Sequence, residues 1–290
     1  MKFSVGSLIS DRYELVERLR SGGMGSVFKA WDFQEDSYVV VKIATHNSEY
    51  SSLVEYLKRE AMALKRLNDH HPDNPRIVRL LNAGDIGESY FVVMEYIHGM
   101  DLRSHLNKTG PLPLDICVSV GVDMLEGLGA IHEEGLVHRD LKPENLMATR
   151  VGVKIIDFGL VRFISASDRQ MKRLTNPGIT VGTPLYISPE QALGRSDLDG
   201  RCDLYVCGVV LYELLTGVLP FPKFKEGERY WNLPLRPFSE ASPPVDIPDK
   251  VQAIVWKALQ VDPDLRYQTA EEMRMALLAV LDHYSKIIVP

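Results

Sequence analysis

The sequence predicts an α+β protein with two lobes, residues 1–95 and residues 96–290. Three observations carry this prediction. Short runs of β-branched and aromatic residues, separated by glycine and polar turns, fill most of the first third of the chain. Longer runs with a helical spacing of apolar residues fill the remainder. The change between the two patterns falls near the segment EYIHGMD, residues 95–101, and it predicts a short connector between the lobes.

The first lobe is predicted to hold several strands and one main helix. The stretch RYELVERLRSGGMGSVFKAWD, residues 12–32, reads as two strands around a glycine turn, and SYVVVKIAT, residues 37–45, reads as the next strand. In residues 51–68 apolar side chains recur every three or four positions, which predicts an amphipathic helix capped by a serine. Residues 71–84 predict a turn that leads into a strand, and SYFVVMEY, residues 89–96, predicts another strand.

The second lobe is predicted to be mainly helical. Residues 114–135 form one long helical pattern that ends at Gly135. Residues 201–217 are apolar nearly all round, which predicts a helix buried at the centre of the lobe. Residues 250–260 and residues 269–284 predict two further amphipathic helices.

The overall charge and the cysteine content exclude some functions and predict a compartment. A formal net charge of −6 argues against a nucleic-acid partner and against a polybasic membrane anchor. The three cysteines are an odd number without zinc-type pairing, which favours buried free thiols in a reducing cytoplasm. The start has no signal-peptide core, and the longest apolar run is interrupted by Glu213. We therefore expect a cytoplasmic protein with no membrane span in this chain.

The glycine-rich stretch LRSGGMGSVFKAWD, residues 19–32, has two interpretations. A phosphate-binding glycine loop on a hairpin reads G-x-G-x-x-G, and Gly22 and Gly25 fill its second and third glycine positions. Arg20 stands at the first of those positions. Glycine clusters more often form ordinary tight turns, so this stretch by itself favours a turn over a phosphate cradle.

Lys42 and Glu60 are a candidate buried ion pair. Lys42 ends the apolar run VVVK of the predicted strand, and Glu60 lies on the predicted helix. A lysine that faced the interior there would need a charge partner. The spacing of the two residues is equally compatible with an exposed lysine and an exposed glutamate.

Two short segments together predict phosphoryl-transfer chemistry. HRDLKPEN, residues 138–145, places the carboxylate of Asp140, the ammonium of Lys142 and the amide oxygen of Asn145 in one loop. KIIDFGL, residues 154–160, is an apolar strand that ends at Asp157. Asp140 could accept a hydroxyl proton, while Asn145 and Asp157 offer the oxygen ligands that Mg²⁺ prefers. Phosphoryl transfer requires such a base, metal ligands and cations that contact the phosphates.

With these motifs the chain resembles the eukaryotic-type (Hanks-type) protein serine/threonine kinases, specifically those of bacteria. The resemblance covers nearly the whole chain, about Tyr13 to Leu281, and the motifs are highly specific in combination. It implies the two-lobed protein-kinase fold, with a small antiparallel β-sheet lobe that carries one main helix and a larger helical lobe. The second lobe would then hold the catalytic loop, the activation segment and the surface for substrate docking.

The resemblance also implies an ATP-binding site. Gly22 and Gly25 match the glycine loop over the phosphates, and Lys42 matches the lysine on the α- and β-phosphates. Val40 replaces the usual alanine two positions before that lysine, which should narrow the adenine pocket. The full set of implied nucleotide-binding residues is Leu19, Gly22, Gly25, Val27, Val40, Lys42, Met94, Glu95, Ile97, Asp101 and Met147.

The implied catalytic residues are Asp140 as the base, Lys142 near the transferred phosphate, and Lys42 held by Glu60. The implied metal ligands are Asn145 and Asp157. Three further residues match positions that support the site. Glu190 and Arg266 match a glutamate and an arginine that pair with each other. Asp203 matches a buried helix aspartate that braces the catalytic loop.

The resemblance predicts regulation by phosphorylation of the activation loop. Arg139 and Arg162 match two cations that receive a phosphate, and Thr175 and Thr180 are the candidate acceptors. Thr183 is excluded as an acceptor, because it matches the threonine that contacts the catalytic loop. Two solvated arginines are the alternative interpretation.

The expected function is a protein serine/threonine kinase that uses ATP and Mg²⁺, with Mn²⁺ as an alternative metal. Its expected partners are ATP, proteins that carry Ser or Thr, and the chain itself through autophosphorylation. A catalytically weak pseudokinase scaffold and a small-molecule kinase of related fold are the alternatives. Lys42, Asp140, Asn145 and Asp157 are all present, which disfavours the scaffold. The segment SPE, residues 188–190, and Arg266 favour a lobe that docks a peptide.

Overall fold

A computed structural model describes residues 3–22, 25–45, 52–159, 162–163, 185–222, 229–241 and 246–288. The chain forms two compact units. Unit 1 comprises residues 1–98 together with residues 156–161, and unit 2 comprises residues 99–155 together with residues 162–290. A boundary between functional lobes after residue 95 stays a prediction.

Unit 1 contains a six-stranded antiparallel sheet in the order β1-β2-β3-β4-β6-β5. Inward-facing side chains such as Phe28, Val41 and Val93 are buried in its core. The strands are β1 (Leu8–Ile9), β2 (Tyr13–Gly22), β3 (Gly25–Asp32), β4 (Ser37–Thr45), β5 (Leu80–Ile86) and β6 (Ser89–Glu95). All the strands predicted for the first lobe are therefore present.

Helix α1 (Ser52–His70) is the main helix described in unit 1, as the apolar spacing predicted. Its residues Leu57, Ala61, Leu64 and Leu67 are buried, because positions three and four apart share one face of a helix. The strand predicted over residues 37–45 is present as β4 with the same bounds, so Lys42 lies within it. The strand β4 continues to Thr45, so Lys42 is paired with neighbouring strands on both sides.

Unit 2 is mainly helical in its described residues. Helix α5 is buried along nearly its whole length, which agrees with its apolar sequence. Gly217 ends it with φ of +76°, in the left-handed region that favours glycine. The helices are α2 (Leu102–Thr109), α3 (Leu114–Glu133), α4 (Pro189–Ala192), α5 (Arg201–Thr216), α6 (Asp249–Ala258) and α7 (Ala270–Ile288).

Short strands complete unit 2. Strands β10, β9 and β7 form one small sheet in that order, and β8 pairs with β11. The sequence predicted neither helix α2 nor most of these strands, which are too short to show a period. The strands are β7 (Met100–Asp101), β8 (Leu136–Val137), β9 (Leu146–Thr149), β10 (Gly152–Ile155) and β11 (Arg162–Phe163). None of the helices in the described residues is both long enough and apolar enough to cross a membrane.

Candidate active site

Lys42 belongs to a cluster with two carboxylates of unit 1. Its Nζ donates hydrogen bonds to Glu60 Oε1 at 2.5 Å and to Asp157 Oδ1 at 3.0 Å. The side chain of Glu60 is 3 % exposed, whereas those of Lys42 and Asp157 are 15 % and 25 % exposed. Burial by itself lowers the pKa of the Lys42 ammonium, but the two carboxylates outweigh it and raise that pKa. The predicted pair is present, and Asp157 joins it.

The glycine hairpin requires one of its glycines for reasons of backbone geometry. Gly22 pairs with Gly25 at the end of the β2–β3 ladder, and Gly25 has φ of +106°. A Cβ at Gly25 would lie 2.5 Å from the carbonyl oxygen of Ile43, so a larger residue would displace the backbone. Arg20 pairs with Val27 and is exposed.

Several predicted nucleotide contacts lie on one face of the sheet in unit 1. Lys42 pairs with Val27, and Val40 pairs with Met94, so these side chains project from the same face. Met94 is buried and Val27 and Val40 are half-buried. The other predicted contacts of this unit are Leu19, which is exposed, and Glu95 and Ile97, which are half-buried.

The two remaining predicted nucleotide contacts, Asp101 and Met147, lie in unit 2. They are partners in the β7–β9 register. Asp101 caps helix α2, since its carboxylate accepts hydrogen bonds from the backbone N–H of Ser104 at 2.9 Å and from Ser104 Oγ at 2.7 Å. The sequence analysis did not anticipate this cap.

The loop that joins β8 to β9 brings Asp140, Lys142 and Asn145 together. Lys142 Nζ lies 2.8 Å and 2.7 Å from the two carboxylate oxygens of Asp140. Asn145 Nδ2 donates to the backbone carbonyl of Asp140 at 2.8 Å and to Asp140 Oδ2 at 3.0 Å. The three residue types that the motif predicted are therefore in mutual contact.

The orientation of the Asn145 amide leaves its oxygen available. Both groups that its nitrogen contacts are oxygen acceptors, so the nitrogen must point toward Asp140 and the oxygen away from it. Asn145 Oδ1 is buried and, within the described residues, has no hydrogen-bond partner. A buried amide oxygen without a hydrogen-bond partner lowers the stability of the fold unless a ligand or ion contacts it.

Asp203 holds the backbone of the loop that contains Asp140, a contact that the resemblance predicted. It lies in α5 with 1 % exposure and accepts hydrogen bonds from the backbone N–H groups of His138 and Arg139, each at 2.9 Å. His132 Nε2 contacts the same carboxylate at 2.9 Å. Burial alone would raise the pKa of Asp203, but the His132 contact and the backbone donors lower it. Arg139 adopts φ of +66°, a left-handed conformation that these bonds stabilise.

The predicted pair between Glu190 and Arg266 is also present. It is bidentate, with N–O distances of 2.7 Å and 2.8 Å, and the side chain of Arg266 is 0 % exposed. The remaining donors of the guanidinium reach the carbonyl oxygens of Gln260, Arg201 and Val261. Each of the five N–H groups of Arg266 therefore has an acceptor.

One polar cluster of unit 2 was missed by the sequence analysis. Arg103 on α2 donates to Glu144 Oε1 at 2.9 Å and to Glu213 Oε1 at 2.8 Å, and it also contacts the hydroxyl of Tyr186. Tyr186 in turn donates to Glu213. The available signal was Glu213 itself, a single charge inside the apolar run of α5. A buried charge of that kind requires a partner.

Four predicted regulatory residues are only partly covered by the structure. Thr175 and Thr180 lie outside the described residues. For Arg162 the backbone in β11 is described and the side chain is not. Arg139 is buried and its backbone carbonyl accepts a hydrogen bond from Gln191 Nε2 at 3.1 Å.

Comparison with known proteins identifies similar sequences across nearly the whole chain. The family profile of the protein kinase domain matches residues 13–278. A probable serine/threonine-protein kinase of Clostridium perfringens is 34 % identical over 93 % of this chain and 38 % of its own length. The serine/threonine-protein kinase PknB of Mycobacterium tuberculosis is 36 % identical over 94 % of this chain and 44 % of its own length. The chain thus spans less than half of either relative.

A solved structure is similar over most of the chain. The crystal structure of the Rad53 kinase domain and SCD2 in complex with AMPPNP gives a TM-score of 0.67 at 26 % identity. The match covers 91 % of this chain and 88 % of the other.

Proposed function

Since the chain belongs to the protein kinase family, we propose that it is a protein serine/threonine kinase that uses ATP and a divalent metal ion. The γ-phosphoryl group passes directly to a Ser or Thr hydroxyl of a protein, with no covalent enzyme intermediate. The bond from the hydroxyl oxygen to the γ-phosphorus forms as the bond to the β,γ-bridging oxygen breaks, and ADP leaves. The bacterial serine/threonine kinases that the chain resembles support the substrate class, and the AMPPNP complex of the similar structure supports the nucleotide.

The observation that carries this proposal is the arrangement of the loop around Asp140. Its carboxylate is held by Lys142 and Asn145 in one orientation, so a substrate hydroxyl can be aligned and its proton accepted at a defined oxygen. Lys142 is proposed to offset negative charge on the transferred group. No described residue favours the scaffold alternative, because each predicted chemical group is present.

Asn145 and Asp157 are the proposed metal ligands. The buried Oδ1 of Asn145, which has no hydrogen-bond partner among the described residues, fits a hard cation. The carboxylate of Asp157 is partly accessible beside Lys42. We propose Mg²⁺ as the ion, with Mn²⁺ as an accepted substitute. When bound, such an ion supplies positive charge to the phosphate oxygens.

Lys42 is proposed to contact the α- and β-phosphates, with Glu60 holding its ammonium in place. The raised pKa of Lys42 supports this role, because the side chain then carries its charge at any physiological pH. Glycines 22 and 25 would cover the phosphates. The adenine and ribose contacts are proposed to come from Leu19, Val27, Val40, Met94, Glu95, Ile97, Asp101 and Met147.

The decisive experiment measures transfer of phosphate from γ-labelled ATP to a generic protein substrate. Asp140→Asn should lower turnover by about 10²- to 10⁴-fold while nucleotide affinity stays within about twofold, because the base acts on the hydroxyl and not on ATP. Asp115→Asn, an exposed aspartate of α3, is the matched control and should be unaffected. Near-normal turnover in purified Asp140→Asn would exclude the proposed role, and a wild type without Mg·ATP-dependent transfer would exclude the function.

We also propose autophosphorylation at Thr175 or Thr180, with Arg139 and Arg162 receiving the phosphate. Mass spectrometry of the autophosphorylated chain should locate phosphate on one of these threonines, and phosphatase treatment should lower activity. A Thr175→Ala/Thr180→Ala double variant as active as the autophosphorylated wild type would rule this switch out. A cytoplasmic location completes the proposal, supported by the three buried free thiols.

A further inference from the structure

A lysine sits between two tyrosines at the edge of the proposed adenine site. Lys29 Nζ lies 3.9 Å from the ring centroid of Tyr38 and 4.7 Å from that of Tyr96. The two rings are themselves neighbours, with centroids 6.2 Å apart and planes inclined by 57°. We call Lys29, Tyr38 and Tyr96 the connector clamp. All three belong to unit 1.

The clamp projects from the same face of the sheet as the proposed nucleotide contacts. Lys29 in β3 pairs directly with Val40 in β4, and Val27 lies two residues before Lys29. Paired residues, and residues two apart in a strand, point to the same side of a sheet. The clamp therefore continues the row formed by Val27 and Val40 toward the end of the strands where the connector begins.

The connector itself has few other anchors. The backbone N–H of Glu95 donates to the carbonyl of Arg79 at 3.0 Å, and this bond ends the strand. Beyond it, within the described residues, no hydrogen bond between protein groups holds residues 96–98. The Tyr96 ring contacts Tyr38 of β4 and Lys29 of β3, and these contacts join the segment to the sheet of unit 1. Within the segment, the ring centroid of His98 lies 5.0 Å from that of Tyr96.

We propose that the connector clamp positions the adenine-binding backbone of the connector, with Lys29 as its central positioning residue. Tyr96 lies between Glu95 and Ile97, whose backbone groups are the proposed partners of adenine, so fixing its ring also fixes the two adjoining peptide planes. An ordered connector binds a ligand more tightly than a mobile one, because the conformational entropy is lost before binding. This inference rests on the proposed nucleotide site.

The charge of Lys29 adds to an attraction that the two inclined rings already have for each other. A cation beside the faces of both rings is attracted to each of them. A neutral side chain of similar length would remove that second contribution and leave only the weaker contact between the rings. Arginine would retain the charge and can also stack on aromatic faces, so it should preserve the clamp.

The test is direct measurement of binding of adenosine and of Mg·ATP to the complete chain, for example by calorimetry. Lys29→Gln should weaken binding of both ligands by about threefold to tenfold, and Lys29→Arg should restore most of that loss. Tyr96→Leu should produce a loss similar to that of Lys29→Gln, and the double variant should lose little more than either single variant. In the transfer assay KM for ATP should rise in the same proportion while kcat changes less than twofold.

Lys58→Gln is the matched control. Lys58 also stacks on a tyrosine of unit 1, with its Nζ 5.2 Å from the ring centroid of Tyr90, but it has no contact with the connector in the described residues. Its loss should leave the affinity for both ligands unchanged. An equal loss in Lys58→Gln would mean that general weakening of unit 1, and not the clamp, lowers affinity.

The remaining outcomes separate this inference from the proposed function. Unchanged affinity in Lys29→Gln, with a wild type that binds Mg·ATP, would overturn the clamp and leave the kinase function intact. A loss for Mg·ATP but not for adenosine would show that Lys29 acts on the phosphates, which also overturns the clamp. A wild type that binds neither ligand would overturn the nucleotide site itself.

Discussion

Two ion-pair clusters, one in each unit, differ in how completely their charges are satisfied. In unit 2, Arg266 and Glu190 form a closed pair, in which each guanidinium N–H has an acceptor and the arginine side chain has no exposure. In unit 1, Lys42 contacts both Glu60 and Asp157, and the side chains of Lys42 and Asp157 are partly exposed. One positive charge there faces two negative charges.

This difference separates structural support from chemistry. A closed, neutral and fully bonded pair has no capacity for a further ligand, so its contribution is to hold the fold. An open cluster with an excess carboxylate can bind a cation. Its partly exposed lysine can contact an anion while it remains paired with a carboxylate. Replacement of the cation by methionine should therefore lower stability in the closed cluster and activity in the open cluster.

The largest effect is expected from Arg266→Met. Removal of the guanidinium leaves Glu190 buried without its partner and three backbone carbonyls without donors, which should lower the free energy of unfolding by about 3–5 kcal/mol. Thermal and denaturant unfolding would measure this loss, while kcat per folded molecule should remain within a few-fold of wild type. A variant with unchanged melting temperature would show that the pair contributes little to stability.

Lys42→Met should show the opposite pattern. Turnover should fall by about 10²- to 10³-fold, because a positioned cation is lost from the phosphates. The melting temperature should change less than in Arg266→Met, because burial raises the pKa of Glu60, so that this carboxyl can become neutral when Lys42 is absent, and because Lys42 donates to carboxylates and not to backbone carbonyls. Lys65→Met is the control on the same helix as Glu60, and it removes only an exposed pair with Asp69. A Lys42→Met enzyme that is unfolded instead of inactive would contradict the comparison.

A smaller and pH-dependent effect is expected at Asp203. Its pKa in the folded state lies below the ordinary aspartate value of 3.8, so the ionised carboxylate stabilises the fold above that pH. The stabilisation is lost as the pH falls through the lowered pKa. Wild type should exceed Asp203→Asn in unfolding free energy by about 1–3 kcal/mol at neutral pH, and this gap should narrow as the pH falls below 3.8. A gap that widens as the pH falls below 3.8 would contradict the assignment.

Most of the fold could be predicted from local patterns. The hairpin of β2 and β3, helix α1 and the apolar helix α5 are long and strongly periodic, and each was predicted. Helix α2 was missed, because its eight residues are mostly polar and its start depends on the Asp101 cap. The strand predicted over residues 37–45 was found with those bounds, and pairing with β3 and β6 extends along its whole length.

The chemical groups of the candidate site were also predicted, but their surroundings were not. Asp140, Lys142 and Asn145 lie within six residues, so their mutual contact follows from a short motif. The contact of Asp157 with Lys42 joins residues 115 positions apart, and the Arg103–Glu213 pair joins residues 110 positions apart. The position of Glu213 in an apolar helix indicated that its charge requires a cationic partner. It did not indicate that this partner is Arg103.

The sequence by itself determined the long strands of unit 1, the long helices of both units and the proximity of Asp140, Lys142 and Asn145, because these features depend on residues close together in the chain. Only the tertiary structure decided that Gly25 must be a glycine, since the obstacle is the carbonyl of Ile43 on another strand. It also decided that Asn145 presents a buried oxygen without a hydrogen-bond partner among the described residues, and that Lys29 lies between Tyr38 and Tyr96. Such contacts depend on the packing of every element between the partners, and no local pattern records that packing.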